Sequence, residues 1–148
     1  MRPAVSVVAL VAGLVVALIS ALHVFWALGG EWGGAGAVPS RPGEAPLFSP
    51  SPATTLVAAA SFALAAWIIF VAGELSRPVG PRWIYVVGIW CVGLAFVARA
   101  VGDFRYVGLF KRVHGTPFAA MDDRVFSPLA LVIGLAVLWL ASKQGRVA

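Results

Sequence analysis

The chain has 148 residues, 61% of them hydrophobic and 11% charged, with a mean hydropathy of +0.94. That composition excludes an ordinary soluble domain and leaves room for about four helical spans of roughly 20 apolar residues each. The formal charge of +5 does not point to nucleic acid, because the basic residues lie scattered beside apolar runs, where they set orientation or meet lipid headgroups.

In chain order, the first apolar run extends over about 4–28 and carries Ser6, Ser20 and His23. A basic start before such a run can mark a signal peptide, and Ala35-Gly36-Ala37 resembles a cleavage site. The run exceeds the ~7–15 residues of a signal core, and the triplet lies beyond Glu31, so an uncleaved span is expected. Residues 29–53 are rich in Gly and Pro, and Pro39, Pro42, Pro46, Pro50 and Pro52 exclude a regular helix or strand interior. A loop of this length is either mobile or a lid, and its composition predicts a mobile coil.

A second span over about 54–73 contains Trp67 and ends at Glu74. The basic stretch Ser76-Arg77-Pro78-Val79-Gly80-Pro81-Arg82 reads as a tight antiparallel turn. The third span, about 83–101, is flanked by Arg82, Trp83 and Tyr85 as interfacial anchors. It carries the single cysteine, Cys91, which excludes an internal disulfide and reads as a small packing residue.

A second long loop, 102–126, precedes a fourth span over about 127–141. From Pro128 to Ala141 that span would cover only roughly 21 Å of a ~30 Å hydrocarbon core. Local thinning, snorkelling by Lys143, or folding of the preceding segment into the interface would meet the mismatch. Phe48-Ser49-Pro50 and Phe126-Ser127-Pro128 each precede a span, with Ser as N-cap and Pro at the first helical position. The expected architecture is thus an all-α membrane protein, four spans in an up-down bundle, and the echo raises the option of two tandem helical hairpins.

Lys and Arg counts on the two sides nearly balance. Arg2 precedes the first span, with no basic residue after it until Arg41, which predicts cytoplasmic termini in a cell-membrane protein. Spans one and three run the same way, so their C-terminal ends share one surface. His23 and Trp26 are thereby placed near Arg99, Asp103 and the 102–126 loop.

Those residues are the candidates for chemistry. Arg99 and Asp103, four apart, are spaced to pair along a helix end, and ionisable groups near hydrocarbon are functional hypotheses by default. His23 suits a proton carrier or ligand donor, or equally a histidine packed on Trp26 one turn later. Phe104, Tyr106, Phe110 and Phe118 interleave with Arg105, Lys111 and Arg112, the pattern of an amphipathic interfacial element that could hold an anionic head. Asp122 and Asp123 fit a favourable position before a helix N-terminus. No metal-ligand spacing, phosphate loop or hydrolase motif is present, and no cofactor is indicated.

The run HVFWALGG at 23–30 together with GDFRYVGLFKR from 102, and the Thr, Phe, Asp and FSP positions that follow, resembles a bacterial family of small four-span membrane proteins known only as domain of unknown function 3995. The matching positions are His23, Trp26, Ala27, Gly29 and Gly30, then Arg99, Gly102, Asp103, Arg105, Tyr106, Gly108, Phe110, Lys111, Thr116, Phe118, Asp122, Ser127 and Pro128. The resemblance implies an integral membrane protein and no activity. The site expected from the residues has Trp26, Arg99, Arg105, Tyr106 and Lys111 around a lipid-like or amphipathic molecule. His23 or Asp103 would be the acid/base if the protein is instead a small enzyme acting on a lipid-like substrate.

Overall fold

The computed structural model describes residues 3–144 and is helical, with four helices long and apolar enough to cross a membrane. These are α1 (Pro3–Ala27), α2 (Pro52–Ala72), α3 (Arg82–Val101) and α4 (Pro117–Gln144). Arg2, whose place before the first span underlies the expected orientation, lies outside the described residues. Large apolar side chains such as Val7, Leu14, Leu18, Val57, Leu94 and Val132 are exposed around the bundle, which only hydrocarbon can solvate without cost. Cys91 is exposed on this outer face and is not a core residue.

Helix α1 packs chiefly on α2, and α3 on α4, so the chain forms two hairpins. In the first, a stripe of small residues (Ser6, Ala9, Gly13, Val16 and Ser20) faces α2. A Cβ on Gly13 would stand 2.3 Å from Phe70. Ser6 Oγ donates to Gly73 O at 3.1 Å and Ser20 Oγ to Ala59 O at 2.7 Å. These contacts use the logic of membrane helix pairs: close backbones through small residues, and hydroxyls as cross-links. In the second hairpin Gly93 lies under Leu138 and Gly134 under Val97. The shared core joins Val16, Ile69, Ile89, Ile133, Val137 and Leu140.

Helix starts differ from the expected Ser-Pro positions. For α2 the N-cap is Ser51, whose hydroxyl accepts from Thr54 N at 3.2 Å, with Pro52 next. For α4 it is Thr116, whose hydroxyl accepts from Ala119 N at 3.0 Å, followed by Pro117. The fourth helix therefore begins ten residues before 127, and its 28 residues cover roughly 42 Å, so no span is short.

Ser127 and Pro128 lie inside α4. Proline in a helix interior lacks a donor and crowds the carbonyl four residues back. The chain accommodates it with a π turn over Asp122–Phe126, in which Ser127 N donates to Asp122 O. The wide turn is the reason a proline could sit there without ending the helix.

Candidate functional site

The segment 102–116 is a loop that bonds back on itself. Asp103 Oδ1 accepts from the N–H groups of Arg105, Tyr106 and Val107 at 2.8, 2.7 and 2.9 Å. Burial pushes its pKa up, but the N–H groups of Val107, Arg105 and Tyr106 outweigh that and hold it below the ordinary 3.8. Gly102 and Gly108 both have positive φ, and their backbones touch: a Cβ on Gly108 would meet Val101 O at 2.3 Å and Gly102 Cα at 2.5 Å. Only glycine fits at that crossing.

The loop is fastened to α4 by Asp122, which is fully buried and reaches three donors. Its Oδ1 accepts from Arg99 Nη2 at 2.8 Å. Its Oδ2 accepts from Gly108 N at 2.9 Å and Lys111 Nζ at 3.0 Å. Lys111 Nζ also donates to Gly108 O at 3.1 Å and to Asp123 Oδ1. All three ammonium protons have acceptors. Burial would lower the Lys111 pKa, but the hydrogen bonds to Asp123 and Asp122 hold it above 10.5.

This geometry corrects three expectations. Arg99 pairs with Asp122, not with Asp103 four residues away. Asp122 is an internal hub and not an N-terminal charge. Lys111, expected to hold an anionic head, is buried and fully engaged. The proximity of Asp103 had favoured the wrong partner, and Asp122 lies 23 residues from Arg99, beyond any local spacing rule.

A cavity of about 360 Å³ lies between α1, α3 and α4, with Phe62 of α2 in its wall. It is lined by His23 and Trp26, by Phe96 and Arg99, and by Phe118, Val125, Phe126, Leu129 and Ile133 among others. A neighbouring space of about 500 Å³ beside the 28–51 loop shares His23, Trp26 and Ala37.

His23 Nδ1 lies 2.8 Å from Ile19 O. A carbonyl only accepts, so Nδ1 carries the proton and Nε2 is the basic nitrogen of the neutral ring. The ring rests against Trp26 and Phe62, with centroids 5.1 and 5.0 Å away. Arg99 Nη1 is buried and has no hydrogen-bond partner, and the same holds for Ser127 Oγ.

The structure therefore gathers His23, Trp26 and Arg99 around one cavity and leaves Asp103, Arg105, Tyr106 and Lys111 outside its lining. Arg105 stacks on Tyr106 at 5.1 Å, and Tyr106 OH accepts from Arg41 Nε at 3.2 Å, tying the two long loops together. The first long loop, expected over 29–53 as a mobile coil, is folded over 28–51. Trp26 Nε1 donates to Trp32 O at 2.8 Å, Ser40 bridges to Pro46, and Gly36 packs on Met121. The aromatics Phe62 and Phe96 carry no signal in residue order, because nothing in the middle of an apolar span distinguishes a cavity wall from ordinary packing.

Fold and site together define an all-α, four-span membrane protein with a polar corner at one end of its bundle. The chain belongs to the family described as protein of unknown function (DUF3995), whose pattern matches residues 4–137. No curated protein and no solved structure matches it. Several positions that carried the resemblance now have structural reasons: Gly102 and Gly108 form the crossing, Asp103 the turn, and Lys111 with Asp122 the buried clasp.

Proposed function

We propose that the protein binds a small amphipathic, lipid-like molecule in the α1–α3–α4 cavity, its head against Arg99 and His23. Its apolar part would lie among Phe62, Phe96, Phe118 and Ile133. The observation that supports this reading is an arginine side chain, Arg99, held by Asp122 yet 36% exposed, in the lining of a largely apolar cavity that also holds His23.

The volume, about 360 Å³, is at the low end of the ~300–1,000 Å³ of small-molecule sites and favours one chain over two. Arg99 and Lys111 are already balanced by Asp122 and Asp123, so the head need not be anionic. A hydroxyl or protonated carboxyl could accept from the accessible part of the Arg99 guanidinium and donate to His23 Nε2. In this reading Asp103, Arg105, Tyr106 and Lys111 shape the 102–116 loop and do not touch the ligand.

Mass spectrometry of small molecules co-purifying with the wild-type chain and with Val125→Trp tests this. Val125 stands at the exposed rim of the cavity, so the larger side chain fills it with little strain on the core. A lipid-like species present with wild type and depleted in the variant is expected; equal recovery, or none from either, would overturn the reading.

The alternative is a small membrane enzyme, favoured by one observation: the Ile19 bond leaves His23 Nε2 as a base inside the cavity. A binder should keep most of its ligand in His23→Gln, whereas an enzyme would retain binding and accumulate unconverted substrate. For orientation, we place the termini and the 73–81 turn on the cytoplasmic side. A cysteine replacing Pro42 should then react with an impermeant reagent in intact cells; labelling only after lysis would reverse the assignment.

A further inference from the structure

We propose a second site at the opposite end of the bundle, one that takes the phosphate of an anionic membrane lipid between Arg77, Arg82 and Lys143. It does not rest on the cavity described above. A cleft of about 360 Å³ opens there between the 73–81 turn, the start of α3 and the end of α4. Arg77 comes from the turn, Arg82 is the first residue of α3, and Lys143 lies in the last turn of α4. Among the described residues, three separate segments thus bring three cations to one concavity, whose wall also holds Glu74.

Two observations separate this from the ordinary scatter of basic residues at a membrane surface. The first is electrostatic. Lys143 at a helix C-terminus is favoured by the dipole, but Arg82 at a helix N-terminus is disfavoured by it. The first turn of α3 contains no acidic residue. The charge at Arg82 therefore does not serve α3 itself.

The second is that the walls are braced without a ligand. Tyr85 OH donates to Val79 O at 2.9 Å and accepts from Val79 N at 2.8 Å. Trp67 Nε1 donates to Ser76 Oγ at 3.2 Å, and Gln144 Nε2 to Ala72 O at 2.9 Å. The concavity is thereby held open, and like charges are kept together at its rim.

The level of the cleft identifies the source of the anion. Trp83 and Trp139 are exposed beside it, Lys143 lies 5.1 Å over the Trp139 ring, and Val5, Val71 and Val86 form an apolar floor. Exposed tryptophans of this kind mark the headgroup layer. A phosphodiester with an uncharged head group suits the site; a choline would bring a cation into a cleft that already holds three.

Native mass spectrometry of the full chain equilibrated with equal phosphatidylglycerol and phosphatidylcholine tests the site. Phosphatidylglycerol should be retained in preference, and Arg77→Gln and Arg82→Gln should each lower its retention about fivefold. Arg82→Lys should keep most of it, and Arg41→Gln, which removes the same charge from the other end, should change nothing. Arg77→Gln and Arg82→Lys carry the comparison if Arg82→Gln fails to fold. Displacement of the lipid by excess inorganic phosphate would assign the same site a soluble anion as well; resistance to it would assign the lipid alone. Equal retention of the two lipids, or an equal loss in Arg41→Gln, would overturn the proposal.

Discussion

The α1–α2 hairpin closes through Ala9, Gly13 and two serine hydroxyls on backbone carbonyls, and its loop, 28–51, carries its polar groups on the outside. The α3–α4 hairpin closes through Gly93 and Gly134, and its loop, 102–116, is bolted to the helices by a carboxylate with no solvent access. Both connections span the same end of the bundle and touch through Arg41 and Tyr106. The first contributes Ala37 to the cavity lining, while the second contributes no lining residue and is fastened to Asp122, the partner of the arginine that does line it. The difference shows where polar groups can be fixed near hydrocarbon: only the second hairpin supplies a counter-charge for every buried ion, so only it can present an arginine to an apolar cavity.

The largest effect that would test this contrast is at the hub. Asp122→Ala leaves Arg99 and Lys111 without their shared partner, and breaking a buried pair from one side costs about 3–5 kcal/mol. Thermal unfolding in detergent should show this as a large loss, whereas Glu44→Ala should be near neutral, because its pair with Arg41 is exposed at 3.5 Å. Similar losses in the two variants would mean that the loops are not held differently.

A smaller contrast compares glycines. Gly108→Ala combines positive φ with contact against Val101 O, and should cost about 3 kcal/mol. Gly43→Ala in the first loop also has positive φ, +74°, but meets nothing within 4 Å, and should cost about 1 kcal/mol. Equal costs would deny the tight crossing at Gly102 and Gly108.

The same contrast explains what could be read from residue order. The four spans follow from hydropathy alone, and the convergence of His23, Trp26 and Arg99 follows from the direction of spans one and three. The start of α4 does not follow, because Asp122, Asp123 and Arg124 interrupt the apolar run and Ser127-Pro128 imitates a helix start. Only a π turn lets that proline lie inside a helix, and no residue pattern announces one. The Arg99–Asp122 pair was hidden behind the nearer Asp103. The glycine crossing depends on backbone angles that the letters do not state.

The smallest expected effect is local and concerns acid. Because the folded-state pKa of Asp103 is lowered, its contribution to holding the 103–107 turn is complete above the ordinary value of 3.8 and is lost as pH falls through the lower folded value. Hydrogen-exchange protection of the Arg105, Tyr106 and Val107 amides, corrected for intrinsic rates, should therefore fall in the wild type below about pH 4. In Asp103→Asn protection should be weaker at neutral pH and nearly flat with acid, and the two chains should converge at low pH. The Gly108 amide reports separately, since it donates to Asp122 rather than to Asp103. If the three amides lost protection in step with Gly108 in both chains, the loop would be opening at the Asp122 hub, and Asp103 would be a follower of that clasp and not the holder of its own turn.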